Sequence, residues 1–118
     1  NHRTIEQYHG ICNTAQMRLP NHPLKESLTL TRVLHALSDP ARLFIVQSLA
    51  AKGEQTCGAL NLPMSKSTAS HHFRVLREAG VIQMQADGTQ FINSLRREDL
   101  DSRFPGLLEA VLQASGPV

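Results

Sequence analysis

Ser65-Lys66-Ser67-Thr68-Ala69-Ser70-His71-His72-Phe73-Arg74-Val75-Leu76-Arg77-Glu78-Ala79-Gly80 is the stretch on which the fold turns. Ser65 suits an N-cap, because its hydroxyl can accept from a free backbone N–H of the first helical turn. Gly80 suits the far end, where a helix often closes through a left-handed residue. Between them Ala69, Phe73 and Leu76 recur at helical spacing, with His72 beside the row. The other face reads Lys66, Ser67, Ser70, His71, Arg74 and Arg77. The spacing predicts an amphipathic helix from Ser65 to about Ala79. His71 is expected outward and His72 packed near the core. Adjacent helical residues point about 100° apart, so the two imidazoles are poorly placed to share one metal ion.

Working outward, Val81-Ile82-Gln83-Met84 and Gln90-Phe91-Ile92-Asn93-Ser94-Leu95 flank Asp87-Gly88, which predicts a β-hairpin. Upstream, Leu62-Pro63-Met64 is a tight connector and Thr56 to Leu60 a short helix. Leu30, Val33, Leu34 and Leu37 also follow helical spacing. Ser38-Asp39-Pro40 ends that helix and starts the next, with Asp39 as N-cap and Pro40 in the first turn, where its missing N–H costs nothing. Leu43, Val46, Leu49 and Ala50 turn inward, and Gly53 stops the helix. Leu100, Phe104, Leu107, Leu108, Val111 and Leu112 outline a last helical segment. Pro105 breaks it in two and is expected to open the second piece. Arg96-Arg97 before Glu98-Asp99 reads as a solvated, mixed-charge cap. Residues 1–27 read as an N-terminal arm, in which Ile5, Tyr8, Cys12, Ala15, Met17 and Leu19 mark a candidate helix before Pro20 and Pro23.

The order over residues 28–115 is therefore helix, helix, short helix, helix, hairpin, helix. A short helix, a tight turn and a capped longer helix make a helix-turn-helix, and the hairpin behind it makes it winged. The predicted class is mainly α with a β wing. With 118 residues, one domain is expected, and 41% hydrophobic with 19% charged residues fits a globular chain. Aromatic residues are only 4%, which weakens any reading based on base or sugar stacking. Twelve Lys and Arg against ten Asp and Glu give +2, a balance that permits an acidic partner without demanding one. There is no apolar run of membrane length, no visible signal peptide, and only two cysteines, Cys12 and Cys57, too few for a disulfide scaffold. The expected compartment is the cytoplasm. The chain opens at Asn1 rather than Met, so residues are expected to precede it. An enzyme is not expected: no Gly-rich phosphate loop, His-Glu-x-x-His run or pair of acids in a plausible cleft is visible.

The chemistry of the helix from Ser65 suits double-stranded DNA. Ser67, Thr68, Ser70 and His71 are short donors and acceptors in and just after its first turn, which lets a helix sit deep in the major groove. Its N-terminus offers free N–H groups and a positive dipole end to phosphate. Arg74 and Arg77, further along, are placed for phosphates or a base edge. The plainer alternative is a solvated polar face on an ordinary core helix. The hairpin behind it favours DNA. The leucines of the first and last helices supply more apolar surface than one small domain covers, which suggests a dimer seam.

Leu37-Ser38-Asp39-Pro40-Ala41-Arg42-Leu43, followed at the right distance by Ser65 to Ile82, resembles the opening signature and recognition helix of the ArsR/SmtB family of winged-helix bacterial repressors. The resemblance covers about residues 28–112. It implies a homodimer paired through its first and last helices, bound to operator DNA and released by an inducer or by thiol modification. By position it assigns DNA contact to Lys66, Ser67, Thr68, Ser70, His71 and Arg74. The chain departs from the family at the wing, where Gln83 to Gln90 contains no Lys or Arg. The recognition helix is then expected to carry more of the phosphate binding.

The sensor is less typical. Some members use a Cys-x-Cys in the helix before the recognition helix; this chain has Thr56-Cys57-Gly58, a single thiol. Others hold zinc with Asp and His in the C-terminal helices, but residues 96–118 contain no His, which rejects that site. Cys12 and Cys57 remain as candidate sensor thiols and as a candidate pair for a soft metal or metalloid, with His9 or His22 as further ligands. Arsenite prefers three soft ligands and zinc four, and no tight spacing here supplies them. Cys57 equally suits a small buried helix residue. A winged-helix protein-interaction module without DNA binding is the alternative function, and the neutral wing is the feature favouring it.

Overall fold

The computed structural model describes residues 21–116, so the candidate arm helix and Cys12 lie outside the described residues. After a 3-10 turn at Lys25–Ser27 come α1 (Leu30–Ala36), α2 (Pro40–Lys52), β1 (Gln55–Thr56), α3 (Cys57–Leu60) and α4 (Lys66–Glu78). Then follow β2 (Ile82–Asp87), β3 (Gln90–Leu95), α5 (Arg97–Arg103) and α6 (Leu107–Ser115). This is a winged helix-turn-helix: α3, a turn through Leu62-Pro63-Met64, α4, and the β2–β3 wing.

Local chemistry sets most boundaries. Asp39 Oδ2 accepts the N–H groups of Ala41 (2.8 Å) and Arg42 (3.2 Å), so α2 begins at Pro40. Ser65 Oγ accepts the Thr68 N–H at 3.2 Å and starts α4. Thr56 does the same for α3, which Asn61 closes in the left-handed region at φ 50°. Gly80, with φ +87°, follows Ala79, the C-cap of α4, and a Cβ there would run into the Leu28 side chain. Only glycine fits both the backbone and the space.

The core lies between α2, α4 and the sheet, where Ile45, Val46, Phe73, Leu76, Val81, Ile82 and Phe91 are fully buried. The sheet is antiparallel with order β1-β3-β2. Asp87 pairs with Gln90, leaving Gly88-Thr89 as a two-residue loop with Gly88 at φ +63°. Among the described residues no helix is long and apolar enough to cross a membrane.

Three local expectations are corrected. Thr56 ends a strand as well as capping α3: Gln55 and Thr56 pair with Asn93 and Ile92 of β3. Two residues are too few to show a strand period, so only the partner edge reveals them. Pro105 does not open the last helix; Gly106, at φ +81°, is its N-cap and α6 starts at Leu107. Arg96 is no solvated cap residue. It is 9% exposed, binds Asp99 Oδ2 through Nε (3.0 Å) and Nη2 (2.8 Å), and donates from Nη1 to the Pro23 carbonyl (2.8 Å). Arg97 is exposed, with Glu109 at 3.7 Å.

Candidate nucleic-acid interface

Helix α4 buries Ala69, Phe73 and Leu76, and its outer face carries Lys66, Ser67, Thr68, His71 and Arg74, all exposed. Five of the seven side chains expected on the polar face are thus exposed. Thr68 is held in place: its hydroxyl and that of Ser65 are 2.8 Å apart. The first turn carries no acidic residue to offset the positive end of the helix dipole.

Ser70 and Arg77 are not on that face. Ser70 is 7% exposed, and its Oγ is buried without a hydrogen-bond partner. Arg77 is half-buried, with Nη1 3.9 Å from the Met84 sulfur of the wing and Nε buried and unpartnered. Both fall where α4 turns from solvent into its neighbours, a border that a helical wheel places only to within a residue.

Behind the outer face lies a linkage that sequence reasoning missed. Arg42 is 7% exposed and donates from Nε to the Ala36 carbonyl (2.8 Å), from Nη2 to the His35 carbonyl (3.2 Å), and from Nη1 to His72 Nδ1 (3.2 Å). Because a guanidinium can only donate, His72 Nδ1 accepts and the ring is neutral, with its proton on Nε2. That nitrogen is 3.9 Å from Asp39 Oδ2. Burial pulls the His72 pKa below its ordinary value, Asp39 opposes this, and Arg42 and His71 reinforce it. Burial works against the Asp39 carboxylate, but the N–H groups of Arg42 and Ala41 outweigh it and hold the pKa low. One cluster therefore ties the end of α1, the cap of α2 and the middle of α4 together.

Cys57 is 1% exposed, at the first position of α3, and is disulfide-bonded rather than a free thiol. Asn93 of β3, fully buried, donates from Nδ2 to the Gln55 carbonyl (3.2 Å) and toward Cys57 Sγ (3.5 Å). The candidate sensor position thus touches the wing directly, a contact that no local sequence signal announces. Among the described residues no group of three His, Cys, Asp or Glu side chains converges to hold a metal ion. On α1, Leu30 and Leu34 remain exposed at 47% and 44%, while Val33 is buried.

The helix-turn-helix domain model matches residues 37–85, which run from the α1–α2 junction into the wing. The chain is 36% identical over 83 residues to the uncharacterized HTH-type transcriptional regulator YceK of Bacillus subtilis, covering 68% of this chain and 83% of that one. A solved structure described as a possible transcriptional regulator for arsenical resistance superposes with a TM-score of 0.53 at 32% identity, over 74% of this chain and 81% of that one. The homodimeric winged helix-turn-helix domain of Mb0332 from Mycobacterium bovis, a possible ArsR-family regulator, gives 0.55 at 27% identity, over 71% and 78%. With the capped α2 opening, the α3–turn–α4 unit and the wing all in the same order, the chain belongs to the ArsR family of winged helix-turn-helix transcriptional regulators.

Proposed function

We propose that the protein is a homodimeric, sequence-specific repressor that reads operator DNA through α4 and leaves it when Cys57 changes its thiol state. It acts as a regulator, not an enzyme. The observation that carries the reading is the split of α4: one face is locked into the core by Phe73, Leu76 and His72, and the other presents Lys66, Ser67, Thr68, His71 and Arg74 to solvent. Short polar groups at the helix start suit base edges, and Arg74 suits a phosphate. Ser70 and Arg77 lie off that face.

Leu30 and Leu34, one turn apart on α1, supply the apolar seam of a two-fold pair. The Mb0332 domain is homodimeric, which supports the same arrangement here. Such a pair sets its two α4 helices one DNA turn apart, roughly 34 Å, on an inverted repeat. Cys57 starts the helix that precedes the turn, so a change there alters the seat of α4. Because both helices must be in phase, a small rotation is enough to lower affinity.

The test is anisotropy titration of the purified protein with its own upstream region and with a scrambled duplex, across salt. Preference for the upstream region, lost in His71→Ala and Arg74→Ala, supports the proposal. Equal affinity for both duplexes, or no binding, refutes it. The wing from Ile82 to Leu95 has no Lys or Arg, which favours a second reading, a protein-contact module. No binding to either duplex at low salt would favour that reading. A shallow salt dependence is expected, since few phosphates are neutralised by the wing.

A further inference from the structure

We infer that a cleft behind the recognition helix is a binding site for a small oxyanion, a phosphate or carboxylate ligand. The cleft, of about 540 Å³, lies between residues 21–23 of the arm, Arg32 of α1, and Arg77 and Glu78 at the end of α4. Its size is that of an ordinary small-ligand site. This goes beyond the DNA reading and stands whether or not α4 enters a groove.

Arg77 carries the argument. Its guanidinium is partly withdrawn from water, yet among the described residues its buried Nε has no hydrogen-bond partner, and Nη1 reaches only the weak acceptor Met84 Sδ, at 3.9 Å. A cation in that position costs free energy unless an anion meets it. Glu78 lines the same cleft and attracts Arg77, but does not come within ion-pair distance of it. One carboxylate therefore faces two guanidiniums, leaving the cleft with a net positive charge. A planar guanidinium fork matches the two oxygens of a carboxylate or phosphate.

His22 completes the donor set. Its Nε2 accepts the Met84 N–H at 3.0 Å, so the ring is neutral and Nδ1 carries the remaining donor. Burial holds its pKa down, and the Arg77 and Arg96 charges push the same way. Arg96 anchors the same short segment by its bond to the Pro23 carbonyl. The donors of the cleft thus come from three chain segments that the fold holds together. An anion bound there would join the arm to the last turn of the recognition helix.

The experiment is calorimetric titration of the full chain, without DNA, with inorganic phosphate and separately with malonate in a low-salt chloride buffer. Saturable binding of at least one of them, weakened about tenfold by Arg77→Gln and by Arg32→Gln but not by Arg74→Gln, is expected. The better-bound probe identifies the ligand as phosphate-like or carboxylate-like. Arg32 is exposed, so its variant reports on the site even if Arg77→Gln fails to fold. Absence of binding by both probes, unchanged binding in Arg32→Gln, or equal loss in Arg74→Gln overturns the site.

Discussion

Arg42 Nη1 lies 3.2 Å from His72 Nδ1, and this contact joins α2 to α4, the helix that presents the polar face. The bond exists only while His72 is neutral, because a protonated Nδ1 has no lone pair to offer. The folded ring therefore resists a proton relative to the ordinary value of 6.5. His22 is held neutral in the same sense by its bond from Met84. For groups with a depressed folded pKa, the unfolded chain binds protons first, so stability is full above 6.5 and falls as pH drops below it. The urea midpoint should decrease between pH 7.5 and 5.5, and His72→Gln should flatten part of that decline. An identical pH profile in the variant would show that the ring does not titrate in this window. Arg42→Ala should cost about 2–4 kcal/mol, since it strips donors from two carbonyls and His72 at once.

Ser70 separates support from contact on α4. Its buried hydroxyl meets no partner, so Ser70→Ala removes an unsatisfied group and should leave stability unchanged or raise it by up to about 1 kcal/mol. DNA affinity should stay within about twofold of wild type. His71→Ala, on the exposed face, should leave stability unchanged and lower affinity for the upstream region by about tenfold, roughly one lost base or phosphate contact. Denaturation and anisotropy on the same preparations check both. If Ser70→Ala were the more damaging to binding, the exposed face is misassigned.

Gly80 tests the turn between α4 and the wing. Its φ of +87° disfavours any side chain, and a Cβ would meet Leu28. Gly80→Ala should destabilise by about 1–3 kcal/mol, from backbone strain together with displacement of Leu28. Adding Leu28→Ala relieves only the steric part. A double variant that is as stable as Leu28→Ala alone would show that the backbone strain is negligible.

The parts of this fold that were legible in the sequence are those fixed by neighbours in the chain. Asp39, Ser65 and Gly53 declare helix ends because each acts within a few residues. The hairpin was visible because Asp87-Gly88 sits between two alternating runs. Partners distant in sequence left no such trace. β1 exists only because β3 offers it an edge, and Arg42 finds its acceptors in two carbonyls of α1 and a histidine of α4. The polar face was legible to within one residue on each side, which is why Ser67, His71 and Arg74 emerge exposed while Ser70 and Arg77 do not. Serine type alone does not report burial; the position of the neighbouring helix does.

Asn93 gives the thiol hypothesis its sharpest test. It is fully buried in β3, it reaches Cys57 Sγ at 3.5 Å, and its own Oδ1 has no partner. A change of charge or size at Cys57 is therefore felt first by the wing strand and by the start of α3. Cys57→Ser, nearly isosteric, should bind the upstream region with the affinity of one redox state of the wild type and should no longer respond to dithiothreitol or diamide. Asn93→Leu keeps the cysteine but removes the polar link. If the link transmits the change, this variant should still alter its cysteine state, read by alkylation and mass, while its DNA affinity ceases to follow. Full redox response of affinity in Asn93→Leu would place the transmission in α3 alone. Full response in Cys57→Ser would remove the thiol from the mechanism.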